Sequence, residues 1–244
     1  SLRASYDAVA RDAAQSGGEG LAVDAAAALA GMYAAVGASY RDEVGKHGAL
    51  LELLLAAVTH TCAEVALPSL SFWTKAGRSV LTAFASATQP LVAALVGAAT
   101  YPTDFASRDG LGWEQTDEVR ASVRLVLKAS FLDPPTDDDP PGSEEAAAPR
   151  LVEALSCVVA VCAEEASRVA ASPDPLGAAA GPLPPSPPPA SDPLPWQRLE
   201  ASLCLLSTLA PALGLPTAAP LLASPALAAV VNLLPTLPAR RALW

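Results

Sequence analysis

The chain has 244 residues, 52% of them hydrophobic, so it can supply the core of one large or two small domains. Its formal net charge of −10 argues against direct nucleic-acid binding, because phosphate neutralisation needs clustered Lys and Arg, and the 15 basic residues are scattered. Such a surface favours a basic protein partner. The apolar residues are mainly Ala and Leu, with no Ile, and this balance favours helices over strands.

Apolar residues recur at helical spacing in several separate segments. The pattern predicts helices within residues 20–43, 46–61, 64–77, 80–100, 116–132, 144–172 and 195–213, and two or three short helices in 216–244. No segment sustains period-two alternation, so the predicted fold class is all-α. Modest helices paired about every forty residues are typical of a HEAT-like helical-repeat solenoid, or α-α superhelix, although an irregular bundle gives the same stripes.

Two proline-rich stretches divide the helical pattern. Residues 134–145 predict an acidic, proline-rich loop, and residues 172–195 predict a disordered linker of partly polyproline character. Helical repeats are therefore expected in residues 1–133, 146–171 and 196–244. The glycines within residues 17–20 are interpreted as ending one helix and starting another.

No apolar run suits a membrane span by sequence. Residues 49–58 and 151–161 are short and carry Glu52 and Glu153, and prolines interrupt residues 201–239. The chain is therefore expected to be a soluble monomer without membrane insertion. It begins with Ser, shows no recognisable export signal and is interpreted as a fragment of a longer protein.

The cysteines lack the spacing of a metal site. No Cys-x-x-Cys pair occurs, and His47 and His60 lie far along the chain from the closest cysteine pair. We interpret all four as buried free thiols of a reducing compartment: Cys62, Cys157, Cys162 and Cys204.

The segment around the Phe-Trp pair is interpreted as helix core. Thr61 and Glu64 have capping-box spacing, which predicts a helix start near Cys62, and Pro68 is expected to kink that helix or to move its start. Aromatic residues within an apolar stripe favour inter-helix packing over an exposed stacking platform. The predicted core residues are Leu54, Val65, Phe72, Trp73, Val123 and Trp196.

The sequence offers few residues that are suited to catalysis. His60 follows a helix and is expected to cap it or face water rather than act as a base. The pair Glu144–Glu145 is interpreted as a helix-dipole feature, and the pair Glu164–Glu165 as a solvated face. The sequence therefore predicts a protein that is not an enzyme and has no catalytic, cofactor or metal site.

The acidic stretch at residues 133–145 is the candidate partner-binding segment. A flexible acidic strip raises the rate of association with a basic surface. The alternative is a solvated loop without a partner. The candidate partner-binding residues are Asp137, Asp138, Asp139, Glu144 and Glu145.

Three motifs resemble the transportin-3 and importin-13 branch of the importin-β (karyopherin) superfamily. The first is LLELLLAAVTHTCAEVALPSLSFWTKAG, in which a leucine-rich helix ends at a His and Glu-Val opens a helix with Phe-Trp. The second is DEVRASVRLVLKASF, with Val-Arg-x-x-Val, and the third is PLPWQRLEASLCLLSTLAPAL, with Pro-Trp-x-x-x-Glu-Ala. They occur in the family's order over residues 24–213. The chain departs from the family at Pro68, at Leu70, where the family has Phe, in the acidic run at residues 137–139 and in the long proline-rich insertion before Trp196.

The resemblance implies a nuclear transport receptor, which binds protein cargo and releases it when Ran-GTP binds. It implies protein cargo, the Ran GTPase and nucleoporins as partners, no cofactor, and shuttling between cytoplasm and nucleus. In the family, acidic positions on inner helices and loops contact Ran and basic cargo. The alternative function is a helical-repeat scaffold or adaptor for protein–protein interaction without a transport role.

Overall fold

The computed structural model describes residues 8, 21–41, 44–101, 110–135, 142–171, 195–214 and 216–233. Within these ranges the regular secondary structure is helical throughout, which confirms the all-α prediction. The α-helices are α1 (Leu21–Ser39), α2 (Gly48–Val58), α3 (Ala63–Ala83), α4 (Thr88–Ala99), α5 (Gly110–Leu127), α6 (Ser143–Ala171), α7 (Pro195–Leu209), α8 (Ala219–Leu222) and α9 (Pro225–Leu233). A π-helical turn, Lys128–Leu132, follows α5 directly.

The helix α3 lies at the centre of the fold and packs against α1, α2 and α5. Phe72 and Trp73 are buried on it, and their rings meet edge to face with centroids 5.4 Å apart. Gly37 allows α1 to approach, because a Cβ there would come within 2.8 Å of the Phe72 ring. Pro68 lies inside α3 and does not start it, since burial of the residues around Pro68 offsets the lost backbone bond.

The start of α3 differs from the predicted capping box. Cys62 is the N-cap residue, and its side chain makes no capping bond. Glu64 does not reach back to Thr61. Its carboxylate instead accepts hydrogen bonds from Cys62 Sγ at 2.7 Å and from Gln115 Nε2 at 2.9 Å. A bond to the distant helix α5 therefore replaces the local cap.

Contacts run mainly between helices that are one or two apart in the chain. The helix α1 packs against α2 and α3, α2 against α3 and α4, and α3 against α5. The same pattern continues as α4 contacts α5 and α6, and α5 contacts α7. Other contacts join helices three apart in the chain: α3 with α6, α4 with α7, and α6 with α9. Alternate helices are thus neighbours across much of the described chain.

One main apolar cluster joins α1 to α9. Trp196 lies apart from it, although the sequence predicts it in the core. It is half-buried and packs in a smaller cluster with Ala166, Val169 and Leu199, where α6 meets α7. The other predicted core residues are buried in the main cluster: Leu54, Val65, Phe72, Trp73 and Val123.

The helix α6 starts at Ser143, so Glu144 and Glu145 lie in its first turn, as the helical pattern over residues 144–172 predicts. Carboxylates are stabilised there by the positive end of the helix dipole. Pro195 starts α7, as the helical pattern over residues 195–213 predicts, while residues 172–194 of the predicted linker lie outside the described residues.

By length and composition alone, Glu144–Ala171 is able to cross a membrane, with a mean hydropathy of 1.7. The sequence-based expectation had placed no such segment in the chain. Buried helices of globular proteins pass the same test. Here α6 packs against α4, α7 and α9, and 39% of its most apolar window is buried.

Two arginines join α3 to the helices that follow it. Arg78 on α3 donates from Nη2 to the carbonyl oxygens of Ala129 and Asp133, both at 2.6 Å. Arg150 on α6 donates from Nη1 to the carbonyl oxygen of Arg78 at 2.9 Å and to the Thr82 hydroxyl. Arg78 therefore satisfies one carbonyl group within the π-helical turn, that of Ala129, and one just after it, that of Asp133.

Candidate partner-binding surface

The acidic residues predicted to bind a partner are only partly described. Glu144 and Glu145 are exposed in the first turn of α6, next to Gly142, whose φ of +84° suits glycine. Asp137, Asp138 and Asp139 lie outside the described residues. The structure therefore places two of the five predicted carboxylates on an accessible surface.

A second acidic surface lies on α5 and was not predicted. Glu114, Asp117 and Glu118 are exposed at the three- and four-residue spacing of one helix face. Glu64 of α3 adds a fourth exposed carboxylate, bonded to Gln115. We call these four carboxylates the α5 acidic face. A basic protein surface is the partner that such a face favours.

A largely buried ion pair, which we call the α5–α7 junction, lies on the opposite, buried side of α5. Arg120 on α5 donates from Nη1 to Glu200 Oε2 at 2.8 Å and from Nη2 to Glu200 Oε1 at 2.6 Å, which is a bidentate pair. Nη1 also donates to the carbonyl oxygen of Ala99 at 2.7 Å, so it caps the end of α4. The Arg120 Cζ atom lies 4.2 Å from the centre of the Tyr101 ring. One guanidinium thus ties α4, α5 and α7 together.

The junction changes the ionisation of its members. Burial by itself would lower the pKa of Arg120, but hydrogen bonds and charge from Glu200 raise it above its usual value. Burial raises the pKa of the Tyr101 hydroxyl, and the Arg120 charge opposes this only in part. Arg120 therefore stays cationic and Tyr101 stays neutral at physiological pH.

Two cavities open on either side of Tyr101. One, of about 270 Å³, is bordered by the ends of α2 and α4 and by α5, and His60 and Gln115 line it. His60 Nδ1 accepts a hydrogen bond from the Cys62 N–H at 3.0 Å, so His60 helps to orient the start of α3. The other cavity, of about 400 Å³, lies between α5 and α7 and includes Cys204.

Glu165 corrects the sequence interpretation of the Glu164–Glu165 pair. Glu164 is exposed, as a solvated face requires, but Glu165 is only 1% exposed. Glu165 Oε1 accepts a hydrogen bond from Arg198 Nε at 2.8 Å, and Arg168 Nη1 lies 3.7 Å away. A buried carboxylate needs a cation close by, and Arg198 supplies it. The Glu165–Arg198 ion pair therefore joins α6 to α7.

The cysteines are free, but only Cys162 is fully buried. The prediction of four buried thiols is therefore wrong for Cys62, Cys157 and Cys204, which are half-buried. Burial raises the pKa of Cys162 to about 11. Burial first, and then the Glu64 carboxylate, raises the pKa of Cys62 to about 11. These two thiols stay protonated and poorly nucleophilic near neutral pH.

The sequence did carry a signal for the buried charges. Arg120 follows Thr116 by four residues and precedes Val123 by three, so it occupies the buried face of α5. Glu165 similarly lies three residues after Cys162 and four before Val169 on α6. A charged residue at an apolar position of a stripe predicts a buried ion pair, although it does not name the partner.

Comparison with known proteins identifies no relative. No protein-family model matches the sequence, and neither a curated protein nor a solved structure shows significant similarity to the chain.

Proposed function

We propose that the chain is part of a nuclear transport receptor of the karyopherin type, built as a HEAT-like array. On this proposal it binds protein cargo, Ran-GTP regulates the binding, and the protein shuttles between cytoplasm and nucleus without a cofactor and without catalysis. No bond-making step is involved, because release follows from linkage between two protein ligands.

The observation that carries the proposal is how the three family-like motifs meet. The charged residue of the second motif is Arg120, that of the third is Glu200, and the two form the bidentate pair between α5 and α7. The acidic residue of the first motif is Glu64, which accepts a hydrogen bond from Gln115 at the start of α5. Residues that define the second and third motifs are therefore bonded to each other in space, and the first motif is bonded to the helix that carries the second.

The arrangement of helices also supports the proposal. In an array of helix pairs, each helix packs against its neighbour and against the equivalent helix of the next pair. The contacts of α1 with α3, α2 with α4, α3 with α5, and α5 with α7 follow this order. The α5 acidic face and the exposed Glu144 and Glu145 supply the charge that a basic cargo or GTPase surface complements.

Binding to Ran in its two nucleotide states tests the function. Ran loaded with a non-hydrolysable GTP analogue, or with GDP, is immobilised, and retention of the chain is measured by surface plasmon resonance at low and physiological salt. We expect at least about tenfold tighter retention by the GTP form, within the usual range of coupling between two ligands. Equal retention of both forms, or none, favours the scaffold without a transport role.

A matched pair of charge reversals tests the surface. Glu144 and Asp24 are both exposed and both lie in the first turn of a long helix, α6 and α1. We expect Glu144→Lys to slow association about two- to fivefold at low salt, because long-range attraction sets the association rate. Asp24→Lys makes the same charge change elsewhere and is expected to leave the rate unchanged. Equal slowing by both variants indicates a net-charge effect and removes Glu144 from the binding surface.

A further inference from the structure

The exposed side of α5 carries negative charge in its first half and positive charge in its second half. The acidic residues of this side lie within positions 114–118, and its basic residues are Arg124 and Lys128. Lys128 begins the π-helical turn that follows α5 directly. We call the whole strip the α5 dipolar face, and its exposed members are Glu114, Asp117, Glu118, Ala121, Arg124, Leu125 and Lys128.

The α5 dipolar face is one continuous side of the helix. With 3.6 residues per turn, its seven members lie within about 60° of the direction in which Ala121 points, over a length of about 21 Å. Buried residues occupy the reverse side of α5, among them Val123 and Leu127. Within the described residues, the charged members other than Arg124 make no ion pair or hydrogen bond, namely Glu114, Asp117, Glu118 and Lys128.

The helix dipole does not account for this separation of charge. The dipole favours acidic residues in the first turn of a helix, and the first turn of α5 holds none. The acidic members lie further along, on the same side as the basic ones. Arg124 donates to Cys204 Sγ at 3.4 Å, and a carboxylate is a stronger acceptor than a thiol sulfur. The charges of the α5 dipolar face are therefore suited to a complementary surface outside the chain.

We propose that two copies of the chain pair through the α5 dipolar face, antiparallel, with Ala121 of each copy at the two-fold axis. Positions equally far from Ala121 then lie level, because both helices rise equally per residue. Glu114 is level with Lys128 of the second copy. Asp117 lies on the same flank of the contact as Arg124 of the second copy and within about 1.5 Å of its level. The symmetry makes each of these opposite-charge pairs occur twice.

The uncharged members of the face fit the same arrangement. Ala121 is small, so two helices can approach closely at the axis. Leu125, which is 55% exposed, lies on the flank of Glu118 of the second copy and covers the aliphatic part of that side chain. A second copy supplies acidic, small and basic positions in the reverse order, which is the order that the α5 dipolar face complements.

This dimer is weak and depends on concentration, because one helix face is smaller than a standard protein interface. The net charge of −10 on each copy opposes association. Physiological salt screens charges that are more than about 8 Å apart, while close pairs keep more of their attraction. A dimer departs from the monomer that the sequence predicts. The pairing does not depend on transport activity, since it involves this chain alone.

Sedimentation equilibrium of the 244-residue chain measures the self-association. At physiological salt we expect the average mass to rise from 24.7 kDa toward twice that value. The rise is expected as the concentration increases from about 2 to about 200 μM, the range of a weak interface. A mass that stays at the monomer value throughout this range overturns the proposal.

Charge reversals identify the surface that pairs. Arg124→Glu places a carboxylate against Asp117 of the second copy, and we expect it to weaken the dimer at least about tenfold. Adding Asp117→Arg restores opposite charges, and the affinity should return to within about threefold of the unaltered chain. Positions 117 and 124 are about 10 Å apart along one helix, so contact between copies explains such a recovery.

The control is Lys75→Glu at an exposed position of α3, which makes the same change in charge and is expected to leave the dimer unchanged. Circular dichroism checks that each variant keeps its helices. Absence of recovery in the double variant, or equal weakening by Lys75→Glu, overturns the proposal. So does a dimer that Arg124→Glu leaves intact, because another surface then joins the copies.

Discussion

The neighbours of α3 and of α7 are joined by different chemistry. Around α3 the packing is largely apolar: Phe72 and Trp73 are buried, and Gly37 and Gly77 let neighbouring groups approach closely, while Arg78 adds hydrogen bonds to backbone carbonyl oxygens. Around α7 the contacts depend on buried ions, since α7 supplies a partner to a charged residue of α5 and another to a charged residue of α6. Apolar packing tolerates imprecise pairing of residues, whereas buried ions require particular partners.

The comparison predicts that substitutions in the two regions lower the free energy of unfolding for different reasons. Near α3 a substitution costs free energy according to the volume that it leaves empty or overfills. Near α7 the cost comes from leaving one charge buried without its partner, and removing both charges together costs less than removing one. Three substitutions separate these behaviours.

The largest effect is expected at Trp73, which is completely buried. Trp73→Ala should lower the free energy of unfolding by about 3–5 kcal/mol, because it opens a large cavity in the core around α3. Guanidinium unfolding followed by circular dichroism measures the change. Ser71→Ala, at an exposed position of α3, is the control and should be near neutral. A near-neutral result for Trp73→Ala would show that the indole is not core.

An intermediate effect is expected at the α5–α7 junction. Glu200→Gln leaves the Arg120 guanidinium, whose side chain is 5% exposed, without its carboxylate. The expected loss is about 2–3 kcal/mol, below that of a fully buried pair because Glu200 remains partly exposed. Glu118→Gln, on the exposed side of α5, is the control for lost charge.

A double substitution sharpens this second test. Arg120→Met combined with Glu200→Leu removes both charges, and the loss should be smaller than the sum of the single losses. Additive losses in urea unfolding would show that the pair acts as two independent side chains, which would contradict the contrast with α3.

The smallest effect is expected at Gly77, which faces the π-helical turn. A Cβ at this position would lie 2.5 Å from Ser130 Oγ, so Gly77→Ala should cost about 1–2 kcal/mol through overpacking. Adding Ser130→Ala should recover much of that loss, because it removes the clashing oxygen. Gly31→Ala is the matched control, since a Cβ there meets nothing within 4 Å and should stabilise α1 by about 0.5–1 kcal/mol. A loss in thermal unfolding that Ser130→Ala does not relieve would place the strain elsewhere.

The two regions also differ in what the sequence reveals. The spacing of Phe72 and Trp73 within an apolar stripe was enough to place them in the interior, because helical periodicity is local information. The partner of Arg120 lies 80 residues away and that of Glu165 lies 33 residues away, and no local rule connects them. The α5 acidic face was missed for a related reason, since Glu64 joins it from another helix. Local chemistry predicts elements, while the pairing of distant charges needs the fold.

The π-helical turn after α5 shows how this chain accommodates a change in length. The Asp133 N–H donates to the Lys128 carbonyl oxygen at 2.8 Å, five residues back, so the turn holds one residue more than an α-helical turn. The π-helical turn can accommodate one inserted residue without changing which residues of α5 face its neighbours. Because Arg78 binds the Ala129 carbonyl near the start of the turn and the Asp133 carbonyl just after it, the extra residue stays confined to the turn.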